Sequence, residues 1–149
     1  MASSSATDTA LVWFRRDLRL LDNPALHAAV RSGRKLVCVF IRETRGETPS
    51  APGAASHWWM HHSLTRLAED LEARGGRLIL RTGDPAELLP ALAHEAGSRE
   101  IYWNRADRPE VDARDCRLAS QLERTGIKAR GFRASTLIDP ASHLNGSDK

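Results

Sequence analysis

Residues 11–26, LVWFRRDLRLLDNPAL, contain the clearest structural signal in the chain. The segment begins with a run of apolar residues, which is typical of a buried β-strand. It ends with Asn23, which can cap a helix, and with Pro24, which is favoured at the first helical position. A strand followed by a short turn and a helix is the first half of a βαβ unit. The turn is filled with arginines and aspartates, where nucleotide-binding α/β proteins usually carry glycines.

The composition of the chain is that of an ordinary globular domain. Its 149 residues suit a single hydrophobic core, and hydrophobic and charged residues make up 41% and 28% of them. Lysine and arginine outnumber aspartate and glutamate by 22 to 19, and the resulting net charge of +3 is too small to indicate nucleic-acid binding by itself. No apolar run approaches the ~20 residues of a membrane span, so we expect no contact with a membrane.

The amino terminus and the cysteines bear on the cellular environment. Residues 1–9 have neither the basic region nor the apolar core of a signal peptide, and we expect them to form a disordered leader. Cys38 and Cys116 follow no spacing pattern of a disulfide framework. Two such cysteines favour a reducing compartment, and the expected location is therefore cytoplasmic.

Strand-like and helix-like patterns alternate along the chain. Short runs of apolar and β-branched residues predict strands, and apolar residues at three- and four-residue spacing predict helices. The predicted strands are 10–14, 35–41, 77–81, 100–103 and 127–132, and the predicted helices are 24–32, 56–74, 85–96 and 110–125. This alternation predicts an α/β fold of three layers, a five-stranded, mainly parallel Rossmann-like sheet with helices on both faces.

The carboxyl ends of the strands are the expected binding edge of such a sheet, near the point where the strand order reverses. The loops expected there are 15–23, 42–55, 82–84 and 104–109. Ser56 is predicted to cap the second helix. Pro90 lies inside the third predicted helix and predicts a kink or a later start.

The residues present disfavour several classes of binding site. A dinucleotide-binding loop needs G-x-G-x-x-G after the first strand and a P-loop needs G-x-x-x-x-G-K-[ST], and the chain contains neither. A receiver domain needs a phosphoaccepting aspartate after its third strand, but Asp84 is better placed as a helix cap. His57 and His61 share one helix face, yet no glutamate between them and no nearby cysteine completes a zinc site. We expect these histidines at the surface or at an interface.

The tryptophans divide into two kinds. Trp13 and Trp103 lie inside predicted strands and are expected in the core or on the wall of a crevice. Trp58 and Trp59 are consecutive on a predicted helix and cannot both point inward. At least one of them is therefore expected to face a partner, a ligand or another domain.

The opening stretch resembles the amino-terminal signature of the DNA photolyase/cryptochrome family, in which a strand is followed by W-F-R-x-D-L-R and then D-N-P-A-L. GAASHWWMHHSLTRLAEDL (53–71) is similar to the family's Gly-Ala-Ser loop and second helix. LILRTGDPAELLPAL (78–92) resembles its third strand, Gly-Asp-Pro turn and next helix. IYWNRADRPEVDARD (101–115) resembles its fourth strand and the segment that ends in Ala-Arg-Asp. The motifs occur in the family's order, and the resemblance covers about residues 10–146.

The resemblance implies a domain organisation and a function. Residues 10–133 correspond to the family's amino-terminal α/β antenna domain, and residues 134–149 to the start of a linker. The linker leads to a helical domain, outside this chain, that binds FAD and damaged DNA. There, photoexcited reduced FAD splits cyclobutane pyrimidine dimers, the reaction of a deoxyribodipyrimidine photolyase. The chain by itself is expected to be inactive and to contain no catalytic residue.

The resemblance also implies an antenna-chromophore site at the carboxyl edge of the sheet. The chromophore is a folate, a deazaflavin or FMN, depending on the member of the family, and an empty site is the alternative. By position, the residues expected around it are Arg15, Arg16, Asp17, Phe40, Arg42, Glu43, Ser56 and Asn104. The chain departs from two patterns. Folate-type members place Asn-Glu at Glu110-Val111, and deazaflavin-type members favour an arginine near Ser56 and an acidic residue near Ala106.

The charged turn is expected to be part of this edge. Arg15, Arg16, Asp17, Arg19 and Asp22 are predicted to cross-pair there. Exposed ion pairs contribute only about 0–1 kcal/mol each, so such a dense group favours burial by a second domain or contact with a ligand. A solvated turn without such a role is the alternative.

Other functions remain open on the sequence. The same domain occurs in non-repairing cryptochrome photoreceptors, and the residues that separate them from photolyases lie outside this chain. A free-standing α/β binding module is a further alternative. The consecutive tryptophans argue against it, because they resemble an uncovered interface.

Overall fold

The computed structural model describes residues 9–44 and 53–134, and these form a single five-stranded sheet with four helices. The elements are β1 (Thr9–Phe14), α1 (Pro24–Arg31), β2 (Lys35–Glu43), α2 (Ala54–Glu72), β3 (Leu78–Gly83), α3 (Pro85–Glu95), β4 (Ser98–Asn104), α4 (Pro109–Arg124) and β5 (Lys128–Phe132). The predicted α/β fold is confirmed, and every strand pair is parallel.

The strands lie in the order β3-β2-β1-β4-β5. β1 is therefore the central strand, and it pairs Phe14 with Phe40 of β2 and Trp13 with Trp103 of β4. The chain winds outward from β1 to β2 and β3, and then returns past β1 to β4 and β5. The strand order thus reverses between β1 and β4, which is where α/β sheets of this type open a crevice.

Two hydrophobic clusters cover the two faces of the sheet. Alternate residues of β1 point to opposite faces, so that Leu11 and Trp13 belong to one cluster and Val12 and Phe14 to the other. The first cluster contains side chains of α3 and α4, and the second contains side chains of α1 and α2. Three layers result, with helices on both faces as predicted.

The ends of the elements differ from the predicted ends in a few places. β1 starts at Thr9, the last residue of the predicted leader, and residues 1–8 lie outside the described part. Of the predicted linker, only Ala134 is described. α3 continues through Pro90, so the predicted later start is wrong.

The start of α2 is a further correction, because Gly53 occupies the N-cap and Ser56 lies in the first turn. The helix extends back over Ala54 and Ala55, since alanine is the residue most favourable to helices. The capping role predicted for Ser56 is therefore wrong.

Candidate functional site

The carboxyl edge of the sheet is the candidate site. All the predicted site residues except Ser56 lie in, or directly after, β1, β2 and β4. The parallel pairing of these strands brings their carboxyl ends together at one edge. The edge therefore contains side chains that are distant in the sequence, and they form two separate networks.

The first network, here called the four-charge cluster, consists of Arg15, Glu43, Arg114 and Asp115. Arg15 forms an ion pair with Asp115 and lies 3.9 Å from a carboxylate oxygen of Glu43. Arg114 donates to the two carboxylate oxygens of Glu43 at 2.6 and 3.3 Å. Because it contains two cations and two anions, the cluster is neutral as a whole, and it joins the ends of β1 and β2 to α4.

Asp115 is the buried centre of this cluster, with 2% of its surface exposed. One of its carboxylate oxygens binds Arg15, and the other lies 3.6 Å from Arg114 without a hydrogen-bond partner among the described residues. Burial raises the pKa of the Asp115 carboxyl, although both guanidinium groups oppose this effect. Burial alone would lower the pKa of Arg114, but Glu43 and Asp115 hold it above its usual value.

The guanidinium of Arg15 also packs on the ring of Trp13, which pairs with Trp103. It lies 4.4 Å from the centre of the Trp13 ring, at a distance typical of cation–π contacts. Trp13 and Trp103 have ring centres 6.0 Å apart, and both are buried as predicted. Arg15 is thus held by two carboxylates and an aromatic face, and its side chain is only 12% exposed.

The second network, here called the amide network, is centred on Asn104 at the end of β4. Its side-chain amide donates to Asp17 and, over 2.8 Å, to Asn23, while its oxygen accepts from the backbone N–H of Ala25 at 3.0 Å. Asn23 caps α1 as predicted, because its oxygen accepts from the backbone N–H of Leu26. This network joins the β1 turn and the start of α1 to β4.

The remaining predicted site residues have no polar partner among the described residues. Arg16, Arg42 and Ser56 are exposed, whereas Phe40 is buried and, two residues after Cys38, lies on the face of the sheet that α1 and α2 cover. Phe40 lies beside Phe14, and Arg16 and Arg42 each follow this pair by two residues. The two arginines, whose guanidinium groups have no partner in residues 9–44 and 53–134, therefore lie at the ends of neighbouring strands.

Helix α2 extends over the same edge. It runs back from the carboxyl end of β2 to the start of β3, so its amino-terminal end lies at the candidate site. A helix of 19 residues is about 28 Å long, whereas the six residues of β3 span about 20 Å. Ser56 lies eleven residues before the buried Leu67 and therefore on the same side of α2, but it is exposed and forms no hydrogen bond with the other predicted site residues in the part of the chain that the structure describes.

The predicted cross-pairing within the charged turn is correct only in part. Arg19 and Asp22 form an exposed pair at 4.0 Å, and Asp17 accepts from the backbone N–H of Arg15 at 3.0 Å. The side chain of Arg15, however, pairs with residues of β2 and α4, and Arg16 does not pair within the described residues. The turn is thus fixed mainly by partners outside it.

Arg114 and Asp115 are site residues that the sequence analysis did not nominate. Asp115 lies on the apolar stripe of α4 with Val111, Leu118 and Leu122, and a charged residue on such a stripe indicates a buried ion pair. The position of Asp115 among the apolar residues of α4 therefore indicated a buried ion pair, although the sequence does not identify Arg15 as its partner.

The three histidines of α2 lie at the surface. His57, His61 and His62 are all exposed. Within residues 9–44 and 53–134, no three histidine, cysteine, aspartate or glutamate side chains are grouped as a set of metal ligands would be.

Among the helices of the same residues, none combines the length and the apolar character needed to cross a membrane.

Known proteins share both the sequence and this fold. The model of the DNA photolyase family matches residues 10–149. The deoxyribodipyrimidine photo-lyase of Agrobacterium fabrum is 41% identical over 138 residues, which are 93% of this chain and 28% of that protein. Cryptochrome-1 of Arabidopsis thaliana is 38% identical over 132 residues, which are 88% of this chain and 19% of that protein.

A solved structure agrees with these relatives. The crystal structure of a bacterial class III photolyase from Agrobacterium tumefaciens superimposes with a TM-score of 0.87 at 41% identity, covering 99% of this chain and 30% of that one. This chain therefore spans less than a third of the length of the relatives it matches. With a family model that matches nearly the whole chain, a photolyase relative and a shared fold, the chain belongs to the DNA photolyase family.

Proposed function

We propose that the chain is the amino-terminal α/β domain of a deoxyribodipyrimidine photolyase, which uses light and FAD to repair cyclobutane pyrimidine dimers. In this proposal the domain binds an antenna chromophore and docks on a carboxy-terminal, helical FAD-binding domain, through which the protein contacts damaged DNA. The observation that carries the proposal is the 41% identity to a photolyase over 93% of the chain. The two unpaired cysteines of the described structure are consistent with a cytoplasmic protein.

The chromophore site is proposed on the α1/α2 side of the carboxyl edge. Arg15, Glu43, Asp17 and Asn104 are occupied by partners within the protein. We assign them to positioning, because they fix the strand ends and the start of α1. Arg16, Arg42 and Ser56 remain able to bind a ligand, with Phe40 in the wall beneath them.

The guanidinium groups of Arg16 and Arg42, which have no partner among the described residues, favour an anionic ligand. Arginine forms charge-assisted hydrogen bonds with carboxylates and phosphates, such as the carboxylates of a folate or the phosphate of FMN. Ser56 supplies a hydroxyl that can donate to a ring carbonyl. When bound, such a chromophore absorbs light and passes its excitation energy to the FAD of the helical domain. The rigid networks of this chain would hold the chromophore in a fixed orientation.

Equilibrium dialysis tests the chromophore proposal. The purified chain is titrated with a folate, a deazaflavin and FMN, one compound at a time. We expect one of the three to bind. Replacing either arginine, as in Arg16→Ala or Arg42→Ala, should weaken binding by about tenfold or more, because a hydrogen bond to a charged group contributes about 1.5–3 kcal/mol. Arg99→Ala, which removes an exposed arginine near the opposite, amino-terminal end of β4, is the matched control.

The outcomes separate the parts of the proposal. Binding that Arg16→Ala and Arg42→Ala leave at the wild-type level would show that the site is elsewhere. Absence of binding for all three compounds would remove the antenna role. Neither outcome depends on the repair activity of a longer protein.

A cryptochrome photoreceptor is the second candidate. The 38% identity to a plant cryptochrome over 88% of the chain favours it almost as strongly as the photolyase match favours repair. Repair of cyclobutane dimers by the protein that contains this domain would support the photolyase, and its absence in a light-sensitive, FAD-loaded protein would support the photoreceptor.

A further inference from the structure

The end of β2 has fewer backbone partners than the rest of the strand. Its pairing with the central strand stops at Phe14 and Phe40, whereas β2 itself continues to Glu43. Among the described residues, Ile41, Arg42 and Glu43 are paired only with β3, which is an edge strand. The position of these three residues therefore depends on side-chain contacts where β1 no longer runs alongside.

Helix α4 supplies the shortest of these contacts. Arg114 donates to the two carboxylate oxygens of Glu43 at 2.6 and 3.3 Å, and the two side chains are 37% and 27% exposed. Arg15 lies 3.9 Å from the same carboxylate, which is beyond hydrogen-bond distance. A two-point contact between a guanidinium and a carboxylate fixes the direction of the side chain as well as its distance. Arg114 therefore fixes Glu43 against α4.

Arg42 lies next to Glu43 in β2 and points to the opposite face of the sheet, because successive side chains of a strand alternate between the faces. Ile41, two residues before Glu43, belongs to the hydrophobic cluster that contains side chains of α3 and α4. Cys38, four residues before Arg42, belongs to the cluster of α1 and α2. An ion pair on the α4 face thus holds the neighbour of a proposed ligand contact on the α1/α2 face.

We propose that Arg114 is a positioning residue for the chromophore site, which acts across the sheet by holding Glu43 and thereby orients Arg42 towards an anionic ligand. This inference rests on the proposed function, which supplies the ligand, and it adds a residue of α4 to a site formed by β1, β2 and α2. Arg42 is exposed and has no polar partner among the described residues, so its orientation depends on the backbone of β2.

Equilibrium dialysis of the purified 149-residue chain tests the inference. The probe is the compound that binds the wild-type chain among a folate, a deazaflavin and FMN. Arg114→Ala should weaken its binding by about threefold, because a misdirected Arg42 keeps only part of the roughly tenfold gain that its full contact gives. The loss should not exceed that of Arg42→Ala, since Arg114 does not itself contact the ligand.

A double variant separates positioning from a general loss of structure. If Arg114 acts through Arg42, Arg114→Ala should not weaken binding further when Arg42→Ala is already present. Circular dichroism of each variant checks that the chain is folded in the dialysis buffer.

Asp112→Ala is the matched control. Asp112 of α4 accepts from Arg105, directly after β4, at 2.8 and 2.5 Å, and the two side chains are 39% and 26% exposed. The substitution therefore removes an ion pair of similar geometry and exposure that joins the same helix to a strand without a proposed ligand contact. It should leave the affinity for the probe unchanged.

Each outcome either supports or overturns the inference. Weaker binding by Arg114→Ala that disappears in the Arg42→Ala background, with Asp112→Ala at the wild-type level, supports it. Equal losses for Arg114→Ala and Asp112→Ala, or a loss that persists in the Arg42→Ala background, overturn it, since α4 would then act on the fold as a whole. Wild-type affinity of Arg114→Ala, with Arg42→Ala weakened, overturns the inference and leaves the proposed site intact. Absence of binding of all three compounds to the wild-type chain removes the antenna role and the inference together.

Discussion

Removal of the Asp115 carboxylate is the most informative single change in the four-charge cluster. Asp115→Ala leaves the guanidinium of Arg15, only 12% exposed, with a single carboxylate partner at 3.9 Å. Breaking a buried ion pair by deleting one partner costs about 3–5 kcal/mol, because the other charge stays buried. We expect about 3 kcal/mol here, at the lower end, since Glu43 and the Trp13 ring still contact Arg15.

Urea unfolding of the 149-residue chain measures this loss. Because the free energy of unfolding of small proteins falls by about 1–3 kcal/mol per molar urea, a loss of about 3 kcal/mol lowers the urea midpoint by about 1.5 M. Asp70→Ala is the matched control, because Asp70 forms an exposed helical pair with Arg66 at 3.8 Å. Such pairs contribute about 0.3–0.5 kcal/mol, so the control should shift the midpoint by only about 0.2 M.

A double variant distinguishes the effect of an unpaired buried charge from the effect of lost side-chain packing. Replacing both partners by apolar residues, as in Arg15→Met with Asp115→Leu, should restore most of the stability, because no buried charge remains unpaired. Equal midpoint shifts for Asp115→Ala and Asp70→Ala would refute the reasoning, since the cluster would then contribute no more than a surface ion pair.

Three further predictions concern other parts of the domain. Burial raises the pKa of the Cys38 thiol to about 11, so in the native protein at pH 8 a thiol reagent should modify the exposed Cys116 and leave Cys38 unmodified until unfolding. Asn23→Ala removes the cap of α1 and one partner of the amide network, and it should cost about 1–2 kcal/mol in thermal unfolding, whereas an unchanged melting temperature would show that the cap is dispensable. The hydrogen bond from Tyr102 lowers the pKa of Glu100 below its usual value of 4.5, with a further contribution from Arg34 and Arg130. The charged carboxylate therefore stabilises the fold at pH values above 4.5, and this stabilisation is lost as the pH falls through the lowered pKa. The destabilisation of Glu100→Gln relative to wild type should therefore shrink as the pH falls below 4.5, and a difference that is constant with pH would contradict it.

The order of the elements could be predicted from the sequence because it depends on local patterns. Short apolar runs flanked by turns gave the strands, and Asn23-Pro24 and Asp84-Pro85 marked two helix starts that the structure confirms. The start of α2 was missed, because Ser56 is a better capping residue than Gly53 but the alanines between them favour the helix.

The candidate site could be predicted only as a location. The parallel sheet required the ends of β1, β2 and β4 to meet, and the predicted residues do lie there. Which of them pair depends on contacts across long stretches of sequence, such as Arg15 with Asp115, and these follow from the packing of α4. Which site residues the two networks hold, and which have no polar partner in the described part of the chain, is therefore a result of the structure alone.

The most direct test of the proposed antenna role is the action spectrum of dimer repair by the chimera of residues 1–149 with the carboxy-terminal part of the Agrobacterium photolyase. With FAD and the chromophore that the dialysis identifies, we predict repair at wavelengths that the chromophore absorbs and FAD absorbs weakly. This band should disappear in the Arg16→Ala, Arg42→Ala double variant and persist in Arg99→Ala. A spectrum that follows FAD alone, whichever of the three chromophores is supplied, would contradict the assignment of this chain as an antenna domain.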